Sequence, residues 1–384
     1  MNILFIFNGT TKTSGVGLSG GTIRLFEIMK FVQAEKVSVL TTPNGEELLE
    51  KLHVPYDEKH LINYRVDNGI KSNLTISLKS FFQIPKLLKD YKGVVYSSCE
   101  HMYDVFPALR LKFQNGCKWY AVYHWVEEYP WKDKRGGVPF MRRYLYWANR
   151  AFAGLLIKLF ADKILAVSDQ TKVKLIKIKK VKPEKIQSVY CGVEYDEITK
   201  IIEKYHNEKG KIYDAVYMKR LDYGKGIFDL LTIWKKVCDV KLDAKLAIIG
   251  DGSVSTLEKI HQFLTENNME ENVSSLGVIY DFEEKFRILN SSKMFLLPSH
   301  EENWAIVIGE AMAAKLPVIV YDLKEIVPIW QDNVEWIKFG DTGGFADKIV
   351  GYLENINQSE AIAEKAYQFI RKYDWRKIAK QEFI

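Results

Sequence analysis

The residues of this chain with the clearest chemical potential are Glu302 and Glu310, two glutamates with seven residues between them. On a helix rising about 1.5 Å per residue, eight steps set their Cα atoms roughly 12 Å apart. Paired glycosidase carboxylates stand closer, at about 5–5.5 or 6.5–9.5 Å, so a hydrolase pair fits poorly. The longer span suits a sugar ring, a diphosphate and a ribose laid end to end. On spacing alone, a capped helix carrying an incidental Glu serves as well. Two cations, Arg220 and Lys225, lie in "MKRLDYGKGIFDLL", just before a predicted helix. Such a pair neutralises a diphosphate and its leaving charge, although two basic residues in a loop are usually solvated. His124 directly follows an apolar run, at the carboxyl end of a predicted strand where α/β sites gather. A lone His there is also a common structural residue.

These groups need elements to hold them. Residues 294–297 form a short apolar run ending at Pro298, as in a buried parallel strand. A polar loop follows, with Asn303 as the expected N-cap. Residues 304–314 predict a helix, Pro317 stops it, and 318–321 supply the next strand. The result is a βαβ unit whose acidic loop meets a helix N-terminus, where amide N–H groups favour anions. Further strands at 213–218, 245–249 and 273–276 make a second parallel sheet. In the first half, strands are expected at 2–7, 37–41, 94–97, 119–124, 163–168 and 186–190. Helices are expected at 22–33 and 140–160, and a capped one from Ser168. In the 140–160 helix, Met141, Leu145, Ala148, Phe152, Leu155 and Leu159 recur at helical spacing and predict the core-facing stripe. Arg143, Trp147, Arg150 and Lys158 lie off it, near Arg142 and Tyr146. Residues 45–90 are polar and weakly patterned.

Gly15, Gly17 and Gly20 spell G-x-G-x-x-G, the dinucleotide fingerprint. The first glycine follows its strand by about eight residues, whereas the fingerprint needs an immediate turn. The second strand also ends without an acid for a ribose. A loop closing on phosphate at Gly20 and Gly21 fits better, with a plain surface loop as the other reading.

Composition bounds the rest. With 384 residues, 47% hydrophobic and 27% charged, the chain has room for two soluble, well-packed domains. Residues 1–200 hold 31 Lys and Arg against 20 Asp and Glu, a balance of +11; the remainder holds 24 against 29, or −5. The basic first half points to an anionic partner, a phosphate-bearing acceptor or a membrane surface. No zinc finger, RNA-recognition signature or arginine-rich arm is present, so nucleic acid is not expected. Cys99, Cys117, Cys191 and Cys238 have no C-x-x-C spacing, so neither a zinc site nor a disulfide framework is expected. Met1 opens directly on a predicted strand rather than a signal core, and 151–161 is too short for a span and contains Lys158. A reduced, cytoplasmic setting is the expectation. The chain also lacks Asp-x-Asp, the usual carboxylate pair of metal-dependent sugar transfer.

Glu302, seven residues, Glu310 and then Ala-Met-Ala together resemble the signature of family 4 of the glycosyltransferases. The 218–226 loop is similar to that family's Gly-Arg-Leu…Lys-Gly motif, with Lys219 in place of its glycine. Asn303, Ala305 and Lys315 stand at three further positions where the family has glycine. "IIGDGS" at 248–253, the glycine-rich loop near Gly20, "SDQTKVKL", "CGVEYDE" and the terminal "YDWRKIAKQEFI" match other landmarks. The resemblance covers nearly the whole chain, most strongly at 213–322 and least at 42–115.

This resemblance implies an α/β GT-B fold, two Rossmann-like doubly wound domains facing a central cleft. The first spans 1–195 and is joined by a C-terminal helix, about 370–384, that crosses back to it. The second spans 196–369 and binds the donor. The implied reaction is retaining transfer of a sugar from a UDP- or GDP-linked donor, with no metal and no cofactor. His124, Glu302, Arg220 and Lys225 are the expected catalytic residues. Gly20, Gly21, Gly250, Val278, Asn303, Trp304, Ala305, Ile306 and Glu310 are the expected donor contacts, with Glu310 on the ribose and Val278 near the base. Glu127, Glu128 and Trp131 fall in an expected acceptor loop. The acceptor is expected to be lipid-linked or a glycan, and the protein peripheral at the inner, anionic membrane face. The alternatives are a nucleotide-sugar epimerase of the same fold and a catalytically silent sugar-nucleotide or membrane-binding module.

Overall fold

A computed structural model of the chain describes residues 1–8, 19–65, 70–126, 129–131, 140–205 and 210–383. The chain forms two α/β units. One holds the residues up to Cys191 together with the segment from Trp375; the other is Gly192–Asp374. The sequence reading set these breaks at 195/196 and about 370.

In the first unit, β1 (Asn2–Phe7), β2 (Lys36–Thr41), β3 (Glu58–Leu61), β4 (Val94–Ser97), β5 (Lys118–Tyr123), β6 (Lys163–Ala166) and β7 (Ile186–Ser188) form one sheet. Its order is β3-β2-β1-β4-β5-β6-β7, and every pairing is parallel. The second unit carries β8 (Ala215–Met218), β9 (Leu246–Ile249), β10 (Val273–Gly277), β11 (Phe295–Leu297), β12 (Val318–Tyr321) and β13 (Glu335–Ile337), in the order β10-β9-β8-β11-β12-β13. Central strands β8, β11 and β12, and β1 from Ile3 on, are buried runs of Val, Ile, Leu, Phe, Ala, Met and Tyr, because helices cover both faces of a parallel sheet. Each sheet reverses its winding once, between β1 and β4 and between β8 and β11. Ligands of open α/β sheets bind outside the carboxyl ends of the strands at such a switch.

The helix Trp375–Glu382 belongs to the first unit and is pinned there by a buried ionic knot. Arg24 Nη2 lies 2.6 Å from Glu382 Oε2, Arg24 Nη1 donates to the Tyr96 hydroxyl at 2.8 Å, and that hydroxyl donates to Glu382 Oε1 at 2.6 Å. The desolvation cost of both charges is offset only because every partner is in place.

Two expectations fail here. The helix Phe140–Phe160 forms as read, but its predicted core stripe faces outward. Met141, Leu145, Phe152, Leu155 and Leu159 are exposed, and Ala153, Gly154 and Ile157 are buried instead. The helix approaches the sheet through small residues, which leaves its bulky apolar side chains outside. Residues 45–90 also hold more order than their pattern suggests: helices Pro43–Lys51 and Ile70–Leu87, and edge strand β3.

Candidate functional site

The best-defined cluster sits at the switch of the second sheet, where β8 and β11 end. After β8, Asp222 caps a single 3-10 turn, Tyr223–Lys225, by accepting from the Lys225 amide at 3.0 Å. The turn closes through Gly226, whose φ of +72° is left-handed; a Cβ there would lie 1.8 Å from the Pro298 carbonyl oxygen. Only glycine lets this turn press against the end of β11. Lys225 Nζ can therefore donate to the Glu301 carbonyl at 2.7 Å. Gly250 supports the loop from the other side. A Cβ on it would meet the Lys219 carbonyl oxygen at 1.9 Å, and its amide donates to Gly277 O at 2.8 Å. Val278 follows directly, at the neighbouring ends of β9 and β10.

Glu302 is the centre of this cluster. Lys219 Nζ lies 3.0 Å from Glu302 Oε1 and 3.2 Å from Oε2, and Lys225 Nζ lies 3.4 Å from Oε1. Burial works to raise the Glu302 carboxyl, but the two ammonium groups win and hold it below the usual carboxylate range. Burial also pulls the Lys219 ammonium below its ordinary value. Arg220 is half exposed and lies 3.5 Å from Asp222.

The following helix is Ile306–Ala313, two residues later than predicted at its start. Asn303 is not its N-cap. Ala305 takes that position with φ 60° and ψ 69°, and Lys315 beyond the helix has φ 55°. Both stand where the resembled family has glycine, and both keep the left-handed backbone, at a cost of about 1–2 kcal/mol each. The loop thus keeps a glycine-type turn at Ala305 without the glycine. Because Glu302 lies before the helix, the helical estimate of about 12 Å to Glu310 does not apply. Trp304 turns its indole into the core, 4.6 Å from Trp330 and 5.5 Å from Tyr373, so its backbone is what remains for a ligand. Ile306 opens the helix, where first-turn amides have no intrahelical acceptor. Glu310 is ion-paired with Lys285 at 2.9 Å.

In the first unit, Gly20 and Gly21 open the helix Gly20–Phe31, which Ser19 caps by accepting from the Thr22 amide at 3.1 Å. A Cβ on Gly21 would lie 3.1 Å from the His124 ring. These residues therefore share the carboxyl edge of the first sheet. His124 Nε2 lies 2.9 Å from the Ser98 carbonyl and donates to it. Burial lowers the His124 pKa, against the nearby Glu100 carboxylate, which raises it. Beneath it is a residue the sequence gave no sign of. Glu100 accepts from the His124 and Trp125 amides at 3.1 and 3.2 Å and is ion-paired with Arg150. Burial favours its neutral form, but Arg150, His124 and His101 overcome that and hold it at about 2. Gly15, Gly17, Glu127 and Glu128 lie outside the described residues; Trp131 is exposed and stacks on Tyr129 at 4.7 Å.

Comparison with known proteins follows the same division. Residues 19–197 match the model described as Glycosyltransferase Family 4, and 197–369 the model described as Glycosyl transferases group 1. The chain is 26% identical over 220 residues to a capsular polysaccharide biosynthesis glycosyltransferase, CapM, of Staphylococcus aureus, covering 55% of this chain and 52% of that protein. It is 28% identical over 160 residues to the phosphatidyl-myo-inositol mannosyltransferase of Mycobacterium leprae, covering 41% of each. The matched stretches thus span about half the length of these relatives. Among solved structures, HepE of Anabaena in complex with UDP and glucose aligns with a TM-score of 0.74 at 19% identity, covering 99% of this chain and 97% of that one. The sucrose-phosphate synthase of Thermosynechococcus elongatus aligns with the same score at 15% identity, covering 98% and 96%. With its two parallel-sheet units, the chain has the GT-B, Rossmann-like fold.

Proposed function

Since this chain belongs to the family 4-like glycosyltransferases, we propose that it moves a sugar from a nucleoside diphosphate donor to an acceptor hydroxyl, with retention at the anomeric carbon. The observation that carries this reading is the meeting of Lys225 and Glu302 at the β8/β11 switch, beside Arg220 and a helix N-terminus. Cations and amides there stabilise the charge that grows on the departing diphosphate. Glu302 takes hydroxyls of the sugar, and Glu310 the ribose. His124 faces the sugar by family resemblance. The resemblance further implies attack from the leaving-group face, with the diphosphate taking the acceptor's proton, so no side chain serves as nucleophile. A metal is not required, since cationic side chains do its work.

UDP is the favoured carrier, supported by the UDP-bound state of HepE, with GDP as the alternative. A glycan or lipid-linked acceptor is supported by the names of the capsular polysaccharide and phosphatidyl-myo-inositol enzymes. Peripheral attachment to an anionic membrane is supported by the exposed apolar stripe of Phe140–Phe160, flanked by the exposed Arg142. Arg150, paired inward with Glu100, is not part of that surface. No helix among the described residues is long and apolar enough to cross a membrane.

The test incubates the protein with UDP- and GDP-sugars, an acceptor extract and excess chelator. A new glycosylated product with the donor's anomeric configuration is expected. Donor conversion without acceptor would favour the epimerase, and nucleotide binding without turnover the silent module. Co-sedimentation with anionic vesicles at low salt tests the membrane surface, and retention in the supernatant would remove it.

A further inference from the structure

The carboxyl edge of the second sheet carries a further cluster, which the donor assignments leave unused. His300 follows β11, two residues before Glu302, and its amide donates to the Gly224 carbonyl at 3.0 Å. His300 Nε2 lies 3.0 Å from Asp229 Oδ2, which also accepts from the Tyr321 hydroxyl at 3.0 Å. Burial works to raise the Asp229 carboxyl, but hydrogen bonds from His300 and Tyr321 hold it below its usual value. That carboxylate keeps the imidazole proton on Nε2 and leaves Nδ1 as an acceptor. Nδ1 has no partner among the described residues and is not fully buried. Tyr223 and Phe339 meet the His300 ring at 4.9 and 5.4 Å, both nearly perpendicular to it, and are 69% and 51% exposed. Both stand on tied backbone: Tyr223 opens the turn that Asp222 caps, and the Phe339 amide donates to Asp322 Oδ1 at 2.7 Å. One exposed aromatic needs no explanation, but two fixed around an available imidazole acceptor make a surface of distinct chemistry.

A pyranose matches that surface. Its C–H face packs on aromatic rings, and a hydroxyl at its edge donates to the imidazole nitrogen. The nucleotide base is expected at the other side of the sheet, by Val278 beyond β9 and β10. This cluster instead spans the ends of β8, β11, β12 and β13, across the switch. Lys225, two residues from Tyr223, is turned to the Glu301 carbonyl and Glu302, so the cluster offers a phosphate no cation of its own. We propose that Tyr223, His300 and Phe339 form a carbohydrate subsite that holds a sugar unit of the acceptor, which makes the acceptor a glycan chain. The sugar binding stands on the cluster itself; its assignment to the acceptor rests on the transferase reading above.

Saturation-transfer NMR on the full chain tests this, with maltotriose, cellotriose, chitotriose and mannotriose as probes. Irradiating the aromatic protons of the protein should transfer to ring C–H protons of at least one trisaccharide. Combining Tyr223→Ala with Phe339→Ala should lower that transfer about three- to tenfold, the scale of one or two aromatic contacts. Thermal stability should be unchanged, since both side chains are exposed. Equal transfer in wild type and double variant places the sugar elsewhere and overturns the inference, as does no transfer from any probe. A wild type that sediments as a dimer, with the variant a monomer, gives the patch to a second copy of the chain and also overturns it. UDP and GDP binding, measured in parallel by calorimetry, should be the same in both proteins. Loss of nucleotide binding in the variant alone assigns the aromatics to the donor and overturns the inference. Sugar binding with no nucleotide binding to either protein sinks the transferase reading and leaves the carbohydrate subsite standing, without its acceptor role.

Discussion

Two buried carboxylates sit at equivalent places in the two units, and they are held in opposite ways. Glu100, in the first unit, accepts from two backbone amides and pairs with the Arg150 guanidinium. Its donors are fixed by a strand end and a planar fork, so it binds the 124–125 loop rigidly. Glu302, in the second, is held by two lysines at the ends of flexible stems. Its Oε1 has no hydrogen bond of good geometry among the described residues. A lysine stem can swing while keeping its charge solvated. The first carboxylate is tied to backbone amides and a guanidinium; the second is held by lysine side chains alone among its ion-pair partners.

The largest expected effect lies on the ligand side. Lys225→Ala or Arg220→Ala should lower turnover by about 10²–10³ with little change in thermal stability. Donor affinity should fall less than turnover, because charge on the diphosphate grows toward the transition state. Steady-state kinetics of the variants check this, and wild-type turnover in both would remove these residues from the reaction.

Stability should show the reverse pattern. Glu100→Ala leaves Arg150 buried without its anion and two amides without an acceptor, and should cost about 3–5 kcal/mol in denaturant unfolding. Glu302→Gln should cost less than half as much, since both lysines can turn toward water. Equal losses would mean that both carboxylates are held alike.

Acid titration sharpens it. The Glu100 carboxyl, ordinarily near 4.5, is held at about 2 in the fold. Its contribution to stability is therefore complete above about 4.5 and is lost as pH falls through about 2. Glu100→Gln should flatten that part of the stability curve. An unchanged curve in the variant would assign the acid loss to other carboxylates.

The smallest effect concerns strain. Ala305→Gly should stabilise the second unit by about 0.5–1 kcal/mol, because glycine adopts φ 60° without steric cost. Destabilisation would mean that the Ala305 methyl makes a contact outweighing that cost.

Much of the fold was legible because parallel strands buried on both faces write themselves as apolar runs: β1, β4 and β12 match their predicted limits. Edge strand β3, "EKHL", is only half buried and carries no such run. The stripe of Phe140–Phe160 shows the limit of periodicity, which reports an apolar face but not whether anything covers it. Lys225, Glu302 and Glu310 were readable because a local motif contains them. Lys219 was visible only as a missing glycine; its partner lies 83 residues away. Glu100 and Arg150 are 50 residues apart with no motif around either, so their pairing appears only when β4 and β5 lie side by side.

The central claim is that the lysine-held carboxylate of the second unit marks a nucleoside diphosphate donor site. Titrating UDP and GDP into the wild-type protein and into Lys225→Ala, followed by calorimetry, tests it most directly. One nucleotide should bind the wild type at a single site and the variant about tenfold more weakly, a difference of about 1.4 kcal/mol. Equal binding to both proteins, or no binding of either nucleotide to the wild type, would contradict it.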